Sequence, residues 1–361
     1  LFETVQIETD QGDQPDQSIL TVAVTEKSTG ELSFGAGVST SEGVLGDISI
    51  RERNLLGRGQ DLRLGLQFST RRQEIDLSFT EPYFLDSNIS AGFDLFRTST
   101  DFQDESSFDQ DTLGASLRAN YTVAEDLRHG LQYTLRQDDI SDVDDGSSRL
   151  IKEQEGTSIA SSIGHTLTYD KRDSRLKPTE GYLVQFSQEV AGLGGDVRYL
   201  KHTLTTSYHW PLWLDWVANT RLRQGHVIGL GEGVRINDRF FLGGSSLRGF
   251  EPGGVGPRDA STGDSLGGNA FYTATAELTV PLNLTKDLDV DAALFTDIGS
   301  LTQVDNAGAE VLDVSDPRAS IGVGVGYLSP FGPIRVDYAR AVLKQGFDRT
   351  ENFRFNFGAR F

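Results

Sequence analysis

The side chains best suited to chemistry are few in this chain, and their spacing does not suit catalysis. His129, His165, His202, His209 and His226 are scattered, with no H-x-x-x-H pair to share a helical face, so no zinc site is expected. Ser162, His165 and Asp170 could be imagined as a triad, but no nucleophile elbow surrounds the serine. D-V-D-D-G (142–146) has the acids of a calcium loop without its twelve-residue spacing or terminal Glu, and reads as an acidic outer loop. G-L-G-E-G (229–233) does not open a helix and is no phosphate cradle. With no Cys there is no thiolate nucleophile, no disulfide and no Cys-ligated metal. Neither an enzyme activity nor a cofactor is expected.

Charge pairing is the better prospect. Arg248 lies in a long connection (228–269) whose Gly243, Gly244, Gly249, Gly253, Gly254 and Gly256 permit tight backbone paths. If the flanking segments are strands, Glu277 shares a polar face with Thr273, Thr275 and Thr279, and Asp297 shares one with Asp291. A guanidinium folded into the space between them offers a planar fork suited to both carboxylates. The alternative is an Arg in a mobile outer loop beside two unrelated acids. Gly322, Gly324 and Gly326 alternate with Ile321, Val323, Val325 and Tyr327, leaving a bare face where another backbone could approach closely, or a flexible strand that permits curvature.

Those residues need strands to place them, and the chain supplies the pattern. Leu62, Leu64, Leu66 and Phe68 alternate with Arg63, Gly65, Gln67 and Ser69; residues 111–123 and 353–361 repeat the scheme. Side chains alternate across a strand, so each segment has one apolar and one polar face. Sixteen such segments start near Glu31, Asp47, Gln60, Gln73, Ile89, Asp111, Arg128, Thr157, Gly181, Arg198, Asp215, Ala270, Leu288, Arg318, Pro333 and Glu351. Apart from Pro333, which opens its strand, prolines fall between them, as ladder hydrogen bonding requires. The longest uncharged stretch, 319–334, is broken by three Gly and two Pro, whereas a membrane-spanning helix needs ~20 apolar residues. A transmembrane barrel needs an apolar residue only at every second position, so a mean hydropathy of -0.33 does not exclude one.

The connections favour a barrel over a soluble sandwich. One set is short and aromatic: E-P-Y-F (81–84), W-P-L-W (210–213), V-P-L-N (280–283) and S-P-F-G (329–332). The other set is long: 99–110, 138–156, 228–269 and 301–317. Short turns on one side, long loops on the other and aromatics at the boundary suit an outer-membrane barrel. The fold expected is all-β, a sixteen-stranded antiparallel transmembrane β-barrel over 31–361. A net charge of -20 leaves no cation excess to displace counterions from phosphates, so nucleic acid is not an expected partner. Residues 1–30 stand apart: V-Q-I-E-T (5–9) and I-L-T-V-A-V (19–24) could form a hairpin, but two strands cannot bury a core. No signal peptide is visible in 1–9, and the chain, which has no Met, could be a mature fragment of something longer.

Several stretches resemble one family, the BamA-type outer-membrane assembly factors within the wider superfamily of assembly and two-partner secretion barrels. F-F-L-G-G-S-S-L-R-G-F-E-P-G-G-V-G-P (240–257) is similar to the family's R-G-F loop, which folds back into the barrel. F-T-D-I-G (295–299) resembles its F-x-D-x-G strand motif, and Y-D-K-R-D-S-R-L-K-P-T-E-G-Y (169–182) its Y-D-x-R-D…P-x-x-G-Y turn. R-N-L-L-G-R-G-Q (53–60) and F-T-E-P-Y-F (79–84) are more particular to BamA-type members. The terminal strand resembles a barrel-targeting signal ending in Phe361.

The resemblance implies a factor that folds and inserts β-barrel proteins into the bacterial outer membrane, with its N-terminus in the periplasm. It implies that Arg248, Gly249 and Phe250 hold the long loop inside through Glu277 and Asp297. It also implies a lateral gate between strands 31–40 and 352–361, bearing Phe34, Gly35, Gly37, Phe355, Phe357 and Phe361. Gly35 and Gly37 offer little side-chain packing, so pairing across that seam should be weak. Expected partners are unfolded outer-membrane proteins, accessory assembly lipoproteins, and outer-membrane lipid and lipopolysaccharide. Residues 1–30 would be the remnant of the last periplasmic POTRA domain with its linker. The competing reading is a transport pore, either a two-partner secretion translocator, which shares the R-G-F loop, or a passive porin.

Overall fold

The alternating segments fold as antiparallel strands, and the computed structural model, which describes residues 2–12, 14, 16–282, 289–329 and 332–358, closes sixteen of them into a barrel. A separate hairpin precedes it, β1 (Phe2–Gln11) and β2 (Ser18–Glu26). The barrel begins with β3 (Gly30–Ser39), β4 (Gly43–Leu55), β5 (Gln60–Ser69), β6 (Arg72–Glu81), β7 (Ile89–Asp101) and β8 (Asp109–Ala124). It continues through β9 (Leu127–Ser141), β10 (Gly156–Asp170), β11 (Gly181–Gly195), β12 (Tyr199–Pro211) and β13 (Val217–Gly229). After the two-residue β14 (Arg258–Asp259) come β15 (Ala270–Pro281) and β16 (Val290–Thr302); after β17 (Val311–Leu312) come β18 (Arg318–Ser329), β19 (Gly332–Leu343) and β20 (Phe353–Phe357). β14 pairs with β17 outside the barrel, and β20 meets β3 to close the ring. Observed strand starts lie within a few residues of those read from the alternation.

Burial separates this barrel from a sandwich. The apolar row Leu64, Leu66 and Phe68 is 38–51% exposed, whereas inward-facing Ser116, Asp138 and Asp297 are at most 3% exposed. Apolar side chains outside and polar ones inside are stable only where hydrocarbon surrounds the wall. Near the short-turn end Tyr182 of β11 stacks on Tyr208 of β12 with ring centroids 6.2 Å apart, and Trp210, two residues along β12, tilts against Tyr208 at 4.3 Å, the aromatic placement expected at a membrane interface. Two of the short turns there close through a Leu-Asp pair in left-handed conformation, Leu85–Asp86 and Leu214–Asp215.

Three expectations need correction. Pro211 and Pro281 are not between strands but end β12 and β15, where the missing N–H falls at the ladder's edge. The last strand, expected over 352–361, begins one residue later and covers Phe353–Phe357 among the described residues, with 359–361 lying outside them. The long-loop end is also not uniformly long, since 40–42, 70–71 and 196–198 are tight connections. The N-terminal hairpin forms, but its Val5, Ile7, Val22 and Val24 remain 46–63% exposed, so it has no core of its own.

The long loops cap the barrel. Phe108, Ile140, Leu150, Ile151, Ile236 and Leu266 bury together beneath them. Two carboxylates tie the cap: Asp264 accepts from Ser107 Oγ (2.8 Å) and the Ser148 amide (2.7 Å), and Asp259 accepts from Ser148 Oγ (2.7 Å). Burial opposes the Asp259 charge, but hydrogen bonds from Ser261, Ser148 and Thr262 outweigh it and hold the carboxyl at about 2. A carboxyl depressed below its unfolded value of ~3.9 contributes stability above that value and loses it as pH falls through the folded one. Pepsin cleavage in the cap is therefore expected to rise as the pH drops from about 4 towards about 2. Asp259→Asn should show that susceptibility already at about pH 4; an Asn variant with the wild-type profile would refute the assignment.

Candidate functional site

The connection 230–269 does not stay outside: its middle descends into the lumen. Leu242, Leu247, Phe250 and Val255 are at most 3% exposed and pack with Phe271 and Leu301 of the wall. Gly249 makes the turn possible, with φ at 91°. A Cβ there would stand 2.9 Å from Ser320 Cβ and 3.4 Å from the Ala341 amide nitrogen. Gly249→Ala is expected to loosen the seat by roughly 1–3 kcal/mol, the usual cost of forcing a side chain into such backbone. Limited proteolysis within 230–269 would report it as faster cleavage.

Arg248 is 9% exposed and sits at the loop's tip. Its Nε donates to Asp297 Oδ2 (2.8 Å), Nη2 to Asp297 Oδ1 (2.9 Å) and Nη1 to Glu277 Oε2 (2.7 Å). The Arg248 amide also donates to Asp297 Oδ2 (3.2 Å). The guanidinium carbon lies 3.3 Å from the centroid of the Phe295 ring, so one face is stacked while the edge is bonded. Burial opposes its charge, but Asp297 and then Glu277 hold it more firmly protonated than an ordinary arginine.

The network reaches further than the sequence motifs. Arg335 Nη2 donates to Glu277 Oε2 (3.0 Å) and its Nε to Asp337 Oδ1 (3.0 Å). A chain of alternating charge thus runs Asp297–Arg248–Glu277–Arg335–Asp337 from β16 and β15 to β19. The intervening strand is β18, whose bare face permits the crossing: a Cβ on Gly322 would strike the Phe295 ring, and one on Gly324 the Asp337 carboxylate. Neighbouring side chains, and not the loop backbone, fill that face; Gly326 faces open space, and the loop approaches at Ser320, two residues before Gly322. Arg335 and Asp337 escaped the sequence reading, although R-V-D (335–337) places both charges on the inner face; Phe295 was read as part of its motif but not as the ring on which Arg248 stacks.

The seam lies close by. β3 and β20 share two registered pairs among the described residues, Val38↔Phe357 and Ser39↔Asn356, with Thr40 N–H also donating to the Phe355 carbonyl (3.0 Å). On its other side β3 pairs with β4 along its whole length, Gly30↔Glu52 to Ser39↔Gly43. Gly37 rests against the Phe357 carbonyl and Gly358, so any side chain there would push the seam apart. Gly35 abuts the Asp47 carboxylate, and Phe34 is 70% exposed on a length of β3 that has no registered partner on the seam side among the described residues. Phe361 lies outside the described residues. The loop touches the run into the terminal strand: the Gly249 carbonyl accepts from the Glu351 amide (3.2 Å), the Arg349 carbonyl from Glu251, and the Gly254 carbonyl from Arg349.

Residues 54–361 match the Omp85 superfamily domain. The chain is 34% identical, over 93% of its length, to the outer membrane protein assembly factor BamA of Neorickettsia risticii, and 32% identical over 95% to that of Nitratidesulfovibrio vulgaris. It spans 46% and 43% of those proteins, less than half of either. The crystal structure of BamA from Haemophilus ducreyi lacking POTRA domains 1-3 superimposes with a TM-score of 0.90 at 25% identity, covering 99% of this chain and 75% of that one.

Proposed function

This chain belongs to the Omp85 superfamily, and from that premise we propose that it is the membrane barrel of an assembly factor that folds and inserts β-barrel proteins into the outer membrane. The seam carries the proposal. Among the described residues, β3 is registered with β20 only at Val38 and Ser39, whereas all ten of its positions from Gly30 to Ser39 pair with β4. Unpaired strand edges template incoming strands through backbone hydrogen bonds, with no need for nucleotide or cofactor. Opening between β3 and β20 would present two such edges to an unfolded outer-membrane protein inside the bilayer.

Arg248, with Gly249 and Phe250, anchors the loop through Asp297 and Glu277 and so braces the wall beside the seam. In this arrangement the short-turn end and the β1–β2 hairpin face the periplasm, the hairpin being the end of a last POTRA domain. Accessory lipoproteins would engage that side, and lipopolysaccharide the capped end. The loop-filled lumen argues against a wide passive pore.

The test is insertion of a denatured outer-membrane barrel into liposomes containing the full-length protein, followed by heat-modifiable electrophoretic mobility. An assembly factor accelerates folding several-fold over empty liposomes and gives small, erratic conductance in planar bilayers. Steady conductance with no acceleration would make it a transport pore.

A further inference from the structure

The lumen holds charge that neither the anchored loop nor the seam employs. In a chain of net charge -20, the inner face of β9–β13 near the short-turn end bears Arg128, Arg221 and Arg223, joined by Arg172 and Arg175 from the 171–180 turn. Register fixes their side. One line across the sheet runs Arg128↔Thr168, Thr168↔Gln185, Gln185↔Thr205 and Thr205↔Arg223. Arg221 is opposite buried Ser207 on the next line, while Leu131, Leu167 and Leu222 occupy the exposed outer face.

The carboxylates close to this arc are already committed. Asp170 is clasped by Arg172 at 2.8 Å, and Glu277 by Arg248 and Arg335. Among the described residues, Arg128, Arg175, Arg221 and Arg223 have no ion pair; Arg223 only faces the Phe271 ring at 5.8 Å. On the same inner face His209 is 6% exposed, and its Nδ1 is buried with no hydrogen-bond partner. A space of about 680 Å³ opens beside Arg128, Arg172 and Arg175, lined largely by amides and hydroxyls such as Asn120, Thr168 and Gln185, with Asp170 and Leu183 among them. Across the lumen Asp47, Glu74 and Asp76 alternate with Arg63 and Arg72, so the charge there is mixed and the excess of free cations is local to the arc.

We propose that this arc binds acidic stretches of unfolded polypeptide entering the lumen from the short-turn end, the free guanidiniums taking carboxylates and the hydroxyl and amide side chains taking backbone groups. The proposal rests on the reading of the chain as an assembly factor and names a feature its clients would share. An anionic lipid fits less well, because the lining offers acyl chains little beyond Pro82, Tyr121 and Leu183. β9 and β13 are four strand spacings apart, ~19 Å, and an extended chain covers that in about six residues. Pairs of carboxylates at about that separation suit Arg128 and Arg223 together.

Fluorescence anisotropy with the full-length protein in detergent tests this, using a short labelled Thr/Asn-rich peptide with two aspartates about six residues apart. The diacidic peptide is expected to bind, with affinity falling as salt rises and about ten-fold weaker for its asparagine counterpart. The same loss is expected for the Arg221→Gln/Arg223→Gln protein and separately for Arg128→Gln, each first shown to retain wild-type heat-modifiable mobility. Equal binding of the neutral peptide, unchanged binding by both variants, or equally strong competition by short-chain phosphatidylglycerol would overturn the proposal. Liposome insertion by the unaltered protein is read in parallel: peptide binding absent with insertion intact rejects the arc alone, and insertion absent rejects the assembly reading.

Discussion

Replacing Arg248 with Ala is expected to release the in-folded loop and to slow client insertion by about ten-fold or more, a change that ~1.4 kcal/mol suffices to produce. The argument is one of uncompensated charge. Asp297 is 2% exposed and takes two side-chain bonds from Arg248, while Glu277 takes a third. Removing the cation leaves Asp297 buried with, among the described residues, the loop amide as its one remaining donor, and breaking such a pair from one side costs about 3–5 kcal/mol. The energetic escape is for the loop to leave and let water in. Cleavage by added protease within 230–269 should therefore appear in Arg248→Ala and not in the parent. Arg248→Lys should recover little, because a single ammonium cannot span both carboxylates and stack on Phe295. Asp297→Asn should be milder than Arg248→Ala, since Glu277 still meets the guanidinium. A loop that stays protected in Arg248→Ala, with insertion at the parental rate, would reject the anchor.

The second large effect is expected at the seam. Ser39 and Asn356 are registered partners across β3 and β20, and paired residues of an antiparallel ladder have Cα atoms ~4.5–5.5 Å apart, within disulfide range. The chain has no Cys of its own, so Ser39→Cys/Asn356→Cys gives a single possible bond. Oxidation should bring insertion down to the rate of empty liposomes, and reduction should restore it. The matching pair Ser33→Cys/Ser49→Cys joins β3 to β4, which the proposal keeps together, so oxidising it should change nothing. Parental insertion with the seam bond verified would remove the lateral opening from the mechanism.

Much of the fold was legible because a barrel writes its wall in the sequence with a period of two. The alternation at Leu62–Ser69 fixes which side chains meet lipid, and the aromatic turns mark the membrane boundary. Even the charged face was readable: Glu277 and Asp297 both fall on the polar side of their strands, and the structure brings Arg248 to them. The five histidines illustrate the limit of local reading. His129 and His165 stand on neighbouring strands, Nε2 to Nδ1 at 3.4 Å, although 36 positions separate them in the chain.

What the sequence determined by itself is the set of strands, the face on which each residue lies, and the presence of one glycine-rich connection long enough to reach the interior. What only the tertiary structure decided is who meets whom across that interior. Arg335 and Asp337 joined the Arg248 network because β18 offers bare backbone between β16 and β19. Among the described residues the seam is held by Val38↔Phe357 and Ser39↔Asn356, with Gly358 packed against Gly37. The reason is physical: periodicity along a strand sets only the direction of a side chain, whereas stagger around the closed ring and the path of a folded loop are fixed by contacts between segments tens to hundreds of residues apart, and those carry no local signature.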